Sequence, residues 1–283
     1  MQPPSFSLIF FVLVALGTSQ FLSCVARDTI TSNSLLPDDG SSLTSAGKIF
    51  ELGFFSADGD DAGRYLGIWY YNLSSRTVVW VANKDKPIRH SYGYLSIGED
   101  GNLKLLDKMG TSYFNTTLES SSPVNGIRKL MVSGNLVLID GGSGNILWQS
   151  CAEPTDTFLP GMNMDEGLKL VSWRNSGNPA TGNFTFQQEQ DDRPYRIMEG
   201  STVVHWESDQ SGSIDLPLVP FILSNFSPSL DQANYKSSNA NKTNIYKRLR
   251  KPFTSNYSDA LATYAYTRLL MNSSGEIQFY MKE

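Results

Sequence analysis

The chain has 283 residues, of which 40% are hydrophobic and 18% are charged, with a formal net charge of −5. This length suits two ordinary domains, and this composition is typical of a globular chain rather than a disordered one. A nucleic-acid binder needs a basic surface to neutralise phosphates, so the acidic balance argues against nucleic acid as a partner.

The N-terminus carries a targeting signal. Residues 6–17 form a short apolar run, and small residues follow up to Ala26. The run has the size of a signal-peptide core and is shorter than the ~20 residues of a membrane span. We therefore predict that residues 1–26 are a signal peptide and that the mature chain begins at Arg27. The alternative is an N-terminal membrane anchor.

Secretion would expose sequons to N-glycosylation. In secreted proteins the pattern Asn-X-Ser/Thr, with no proline in the middle, marks acceptor asparagines on the surface. The predicted acceptors are Asn72, Asn115, Asn183, Asn225, Asn241, Asn256 and Asn272.

The number of cysteines argues against a disulfide bond within the mature chain. Cys24 would leave with the signal peptide, so Cys151 would remain as a single thiol, with no partner for an intrachain disulfide. Cys151 is then either buried as a small hydrophobic residue or available for an intermolecular bridge.

Short alternating runs bounded by Gly, Asn, Asp and Ser dominate the chain. Runs at 48–55, 65–71 and 78–81 predict strands, and the regular spacing of turn signals predicts an all-β fold. Trp69, Trp80 and Trp148 lie on strand-like runs and are predicted to fill the core.

A strand-turn-strand unit recurs along the chain. Residues 95–107 and 129–140 are the clear copies, and residues 267–279 are a fainter one. A Gly-Asn turn supplies the positive φ that a tight hairpin needs. Because a hairpin cannot bury its apolar face alone, the copies are expected to pack around a shared core.

Composition changes after the second hairpin. Residues 154–167 are rich in Pro, Gly and acids and predict an irregular connector, with strands resuming at 168–173 and 183–188. Residues 215–244 predict a long loop. The basic run 247–251 predicts a solvated loop, with a heparin- or nucleic-acid-type patch as the alternative.

Three ordered motifs resemble one protein family. Residues 79–88 read VWVANKDKPI and resemble the VWVANRDxPL signature of bulb-type (G-type) lectin domains in plant S-receptor-like serine/threonine kinases. Residues 134–162 resemble the later part of that domain. Residues 172–184 resemble the beginning of the S-locus glycoprotein region that follows it.

The resemblance implies a domain plan. A β-prism of three four-stranded sheets would occupy residues 27–155, a linker 156–167, and a partial second lectin-like region 168–283. The family's EGF-like, PAN, membrane-spanning and kinase modules have no counterpart motif here. We therefore expect no kinase activity, and membrane attachment only through a missing C-terminal span.

The resemblance also suggests where a sugar would bind. Mannose-binding members use a Q-x-D-x-N-x-V-x-Y strand, whose polar groups match sugar hydroxyls. The residues that match are Asp100 and Asn102 in one copy and Asn135 and Val137 in another. Each lost polar partner costs about 1–3 kcal/mol. We therefore interpret residues 100–102 and 133–135 as hairpin turns in an eroded site rather than as parts of a working sugar pocket.

No catalytic, metal or cofactor motif is visible. His90 and His205 are the only histidines, neither has a cysteine at metal spacing, and no GxSxG motif occurs. The acidic residues 58–61 lack the ligand spacing of a calcium loop and predict a solvated turn.

These observations leave three functional hypotheses. The first is a recognition module that binds a glycan, protein or peptide, either secreted into the apoplast or held on the outer face of the plasma membrane. The alternative is a soluble co-receptor or decoy that pairs, as a homo- or heterodimer, with a full-length receptor kinase. A glycosidase-like enzyme is the third, and the missing catalytic signatures argue against it.

Overall fold

A computed structural model describes residues 27–31, 34–58, 60–89, 92–118, 126–160, 162, 168–188, 195–207 and 266–280. These residues form strands joined by turns, with two 3-10 turns at Ala46–Lys48 and Ser150–Ala152. In this part of the chain no helix has the length and apolarity to cross a membrane. The predicted signal peptide, the 215–244 loop and the basic run lie outside the described residues.

The strands up to residue 149 fall into an opening segment and three meanders. The opening segment contains β1 (Thr29–Thr31), β2 (Leu36–Pro37) and β3 (Ser42–Thr44). The first meander contains β4 (Phe50–Ala57), β5 (Asp60–Tyr70) and β6 (Val78–Val81). The second contains β7 (Gly93–Ile97), β8 (Leu103–Asp107) and β9 (Ser112–Asn115). The third contains β10 (Gly126–Leu130), β11 (Leu136–Asp140) and β12 (Ile146–Gln149).

Each meander gains its fourth strand from the opening segment. Strand β1 pairs with β10, β2 with β7 and β3 with β4, all antiparallel. The resulting four-stranded sheets are sheet A (β1-β10-β11-β12), sheet B (β2-β7-β8-β9) and sheet C (β3-β4-β5-β6). Three four-stranded sheets are the prism that the resemblance implied, so the predicted fold class is confirmed.

The repeated hairpins close through one turn geometry. In the β7–β8 turn, the Gly98 N–H donates to the Asn102 carbonyl and the Gly101 N–H donates to the Gly98 carbonyl. Residues 131–135 repeat both bonds. Gly101 (φ 78°) and Gly134 (φ 83°) occupy the left-handed position, which a residue with a Cβ adopts only with strain. The predicted positive φ is therefore confirmed, and the glycine rather than the asparagine supplies it.

Three aromatic rings, one from the last strand of each meander, meet in the core. Ring centroids are 5.9 Å apart for Trp80 and Phe114, 6.0 Å for Trp80 and Trp148, and 5.7 Å for Phe114 and Trp148. Trp80 is buried and Trp148 is half-buried, so two of the three predicted core tryptophans belong to this triad. Trp69 is also buried, but it packs in a separate cluster with Phe55.

Two further sheets follow the prism. Sheet D is formed by β13 (Thr157–Phe158), β18 (Arg268–Met271) and β19 (Ile277–Tyr280) in that order. Sheet E is formed by β14 (Lys169–Asn175), β15 (Asn178–Gln188), β16 (Tyr195–Glu199) and β17 (Val203–Glu207). The third predicted hairpin is therefore present as β18–β19, and the strands predicted after residue 168 are β14 and β15.

The first part of the predicted linker is folded. The predicted domain boundaries stay a prediction, but residues 156–159 are buried and include strand β13, where the composition indicated an irregular connector. The Met271 N–H donates to the Asp156 carbonyl, and the Val171 N–H donates to the Thr155 carbonyl. This stretch is ordered because sheet D and β14 supply its hydrogen-bond partners from distant parts of the chain.

Candidate functional site

The side chain of Asn102 makes hydrogen bonds within the protein. Its side-chain Oδ1 accepts hydrogen bonds from Thr116 Oγ1 at 3.1 Å and from the Leu118 N–H at 3.0 Å. The amide therefore ties the β7–β8 turn to the segment that leaves β9. A sugar hydroxyl would have to compete with two short contacts that already hold the turn.

Asn135 occupies the matching position in sheet A. Its Oδ1 accepts from Ser150 Oγ at 3.3 Å and from the Cys151 N–H at 3.1 Å, and its Nδ2 donates to Gln149 Oε1 at 2.9 Å. Both asparagines thus bind the segment that follows the last strand of their meander. The polar atoms that the mannose motif would turn toward a ligand face the protein instead.

The other two predicted residues are also engaged. Val137 is 1% exposed and belongs to the buried core residues of β11. The Asp100 carboxylate lies 2.7 Å from Lys104 Nζ and also accepts from the Asn102 N–H. The hydrogen bond from Lys104 lowers the pKa of Asp100.

The four predicted residues do not form one site. Asp100 and Asn102 lie together at a turn of sheet B, whereas Asn135 and Val137 lie on sheet A. A third copy of the motif would fall near residues 48–55, which carry no convincing Gln/Asp/Asn triplet. This segment is mainly strand β4, and it contributes Phe50, Leu52 and Phe54 to the core.

Three of the predicted acceptor asparagines are accessible. Asn72, Asn115 and Asn183 are exposed. Asn272 is half-buried, and its amide accepts from the Ser274 and Glu276 N–H groups in the β18–β19 turn. The remaining acceptors, Asn225, Asn241 and Asn256, lie outside the described residues.

The candidate reactive groups are dispersed. His205 lies on β17 with its ring 5.0 Å from that of Phe184, and His90 lies outside the described residues. Within the described part of the chain, no group of three or more His, Cys, Asp or Glu side chains could hold a metal ion. Cys151 is partly buried, and burial raises the pKa of its thiol to about 12.

A groove that the sequence did not predict lies where sheet B meets sheet C. Its volume is about 720 Å³, and six of its lining residues are Leu35, Asp38, Arg64, Tyr92, Tyr94 and Lys108. They come from four separate segments, so no local pattern marks them. The closely spaced tyrosines at 92 and 94 were the one available signal.

Comparison with known proteins places the chain among lectin-domain proteins. The family model for D-mannose binding lectin matches residues 77–174. A G-type lectin S-receptor-like serine/threonine-protein kinase of Arabidopsis thaliana is 39% identical over 96% of this chain and 31% of the kinase. An S-locus-specific glycoprotein of Brassica oleracea is 34% identical over 87% of this chain and 58% of the glycoprotein. The chain thus spans less than two thirds of the length of either relative.

Among solved structures, a monomeric mannose-binding lectin from Gastrodia elata is similar at 19% identity. It covers 43% of this chain and 93% of its own, with a TM-score of 0.33.

Proposed function

We propose that this chain is an extracellular recognition module of the plant lectin-domain family that contains the G-type lectin S-receptor-like kinases and S-locus glycoproteins. The premise is the D-mannose binding lectin match over residues 77–174, together with relatives that are 34–39% identical over most of this chain. The observation that carries the proposal is the prism itself, in which three four-stranded sheets close around one aromatic triad. A rigid scaffold of this kind presents loops and grooves to a partner. The activity named in the kinase relatives is not carried over, because the match covers less than a third of that length.

We further propose that the mannose motif positions are structural. The amides of Asn102 and Asn135 make five hydrogen bonds within the chain, and Val137 lies in the core. A weak monosaccharide site does not survive the loss of two or three polar contacts, each worth about 1–3 kcal/mol. The ligand, whether glycan, protein or peptide, would then contact other residues.

Calorimetry tests this assignment. The full chain, secreted from plant cells, should give no binding heat with millimolar mannose. The variants Asn102→Ala and Asn135→Ala should lower the free energy of unfolding by about 1–3 kcal/mol each, since they leave donors in the segments after β9 and β12 without acceptors. Asn145→Ala, at an exposed turn, is the matched control and should be nearly neutral.

The opposite pattern would overturn the assignment. Mannose binding that disappears in Asn102→Ala or Asn135→Ala, at an unchanged melting temperature, would make these residues ligand contacts.

The extracellular location has its own test. The signal-peptide prediction requires that N-terminal sequencing of the secreted protein begins at Arg27, and a sequence beginning at Met1 would contradict it. Pairing with a receptor kinase remains a prediction. Co-purification with a full-length relative would support it.

A further inference from the structure

We propose that the groove between sheets B and C, defined by Leu35, Asp38, Arg64, Tyr92, Tyr94 and Lys108, binds a short neutral oligosaccharide. This inference rests on the proposed recognition function and names the surface and ligand class through which it acts. The groove's volume of about 720 Å³ lies within the roughly 300–1,000 Å³ typical of ligand sites. The groove uses none of the four mannose-motif residues.

The groove contains two large apolar side chains that are exposed to solvent. Tyr92 is 63% exposed and Leu35 is 52% exposed, and both line it. Apolar side chains left together in water mark contact sites more often than isolated ones do. The Lys108 ammonium lies 4.8 Å from the centroid of the Tyr92 ring and restricts where that ring can move. An aromatic ring held in this way offers a flat surface to the C–H face of a sugar.

The polar side of the groove is fixed before a ligand arrives. Asp38 is buried and accepts from Arg64 through two guanidinium nitrogens, with the Nε–Oδ2 distance at 2.9 Å. A third nitrogen, Nη1, donates to Ser56 Oγ at 3.1 Å. The Arg64 side chain is still 34% exposed. A guanidinium has five N–H groups, so it retains donor capacity at the groove while its position is locked.

The backbone below this pair is equally constrained. The Asp38 N–H donates to the Gly93 carbonyl at 2.9 Å. A Cβ at Gly93 would lie 2.5 Å from Ile88 Cδ1 and 2.9 Å from a Phe54 ring carbon. The floor is therefore packed, and binding would not require it to reorganise.

Charge balance selects a neutral ligand. Arg64 and Asp38 neutralise each other, and the lining residues Lys108 and Asp39 carry opposite charges. An ionic ligand would gain little net attraction here. A chain of neutral sugar rings can stack on Tyr92 and exchange hydrogen bonds with the fixed polar groups.

Titration calorimetry on the full secreted chain, with its own N-glycans trimmed enzymatically, tests the proposal. The probes are cellotetraose, mannotetraose and xylotetraose. Trigalacturonate is the acidic comparison, and an uncharged decapeptide composed of Tyr, Gly and Ser is the peptide comparison. At least one neutral tetrasaccharide should bind. Tyr92→Ala should weaken that binding at least tenfold, and Met109→Ala, a matched change at a neighbouring residue that is 89% exposed, should leave it within twofold. Both variants should keep the wild-type melting temperature.

Three outcomes would overturn the proposal: no binding of any neutral tetrasaccharide, equal binding by wild type and Tyr92→Ala, or tighter binding of trigalacturonate or the peptide. Sugar binding that depends on Asn102 or Asn135 but not on Tyr92 would refute both the groove proposal and the structural assignment of the mannose positions. Sugar binding that depends on neither Tyr92 nor these asparagines would refute the groove proposal alone.

Discussion

The carboxyl group of Asp156 should make the stability of this protein fall as pH rises. The residue is 5% exposed and lies where β13 leaves the prism. Thr157 Oγ1 and Thr155 Oγ1 donate to its Oδ1 at 3.0 and 3.3 Å. These hydrogen bonds and the positive charge of Lys84 act to lower the pKa of Asp156. Burial nevertheless dominates and raises the pKa of Asp156 from 3.8 to about 7.

The direction of the effect follows from proton binding. Between pH 4 and pH 7, roughly, the folded protein holds a proton on Asp156 that the unfolded chain has released. Stability from this group is therefore complete below pH 4, roughly, and is lost as pH rises to about 7. A difference of about 3 pKa units at 1.36 kcal/mol each corresponds to about 4 kcal/mol.

Asp156→Asn tests this reasoning, because an amide keeps the shape and cannot ionise. Urea unfolding followed by tryptophan fluorescence from pH 5 to pH 8 should show a falling stability for wild type and a flatter profile for Asp156→Asn. The variant should gain on wild type by up to about 4 kcal/mol at the alkaline end. Asp140→Asn is the control, since Asp140 lies at an exposed turn and hydrogen bonds from Ser143 and Gly142 lower its pKa. Parallel profiles for wild type and Asp156→Asn would refute the reasoning.

Three further predictions concern single residues. Gly182→Ala should lower the free energy of unfolding by several kcal/mol, because the new Cβ would lie 2.3 Å from the Trp173 carbonyl oxygen. The control is Gly142→Ala, whose Cβ would have no contact under 3.7 Å. In chemical denaturation its free energy of unfolding should stay within about 0.5 kcal/mol of wild type. Arg128→Met should lower the free energy of unfolding by roughly 3 kcal/mol, because the buried guanidinium donates to the carbonyls of Leu95, Thr31 and Ser34; equal midpoints for wild type and variant in urea would contradict this. The Cys151 thiol should react slowly with iodoacetamide at pH 8 in the native protein and fast in urea, because burial raises its pKa to about 12. Fast labelling of the native protein would favour an accessible thiol and hence the intermolecular bridge. A molar mass in light scattering that changes with reductant would favour the bridge as well.

The sequence predicted the strands and turns that are determined by residues close to one another in the chain. The hairpins at 95–107 and 129–140 were visible because a glycine with positive φ and flanking apolar alternation lie within a dozen residues. The short strands β1 to β3 were not, because two or three residues carry no period and their partners lie elsewhere in the chain. Strand β13 was missed for the same reason, since its partner β18 is more than a hundred residues away.

The same distinction applies to the candidate site. A motif comparison located Asn102 and Asn135, but their roles depend on hydrogen bonds with residues 14 to 16 positions downstream, at the ends of other strands. The groove residues converge from segments around 35–40, 64, 92–94 and 108. Only tertiary structure brings such residues together, so composition and spacing could not indicate them.

The opening segment has a consequence for how the chain acquires its structure. The strands of residues 29–44 leave the ribosome before the three meanders, yet Thr29 pairs with Lys129, about a hundred residues later in synthesis. Loop closure over that distance has an entropic cost, and non-local β pairing is slow. Sheet C can close early, because β3 and β4 are adjacent in sequence. Sheet A must wait, and until then β1 is an unpaired strand that could pair wrongly with another nascent chain. If the chain is secreted as proposed, Asn72 enters the secretory pathway before β10, and a glycan on this exposed residue would keep the waiting chain soluble.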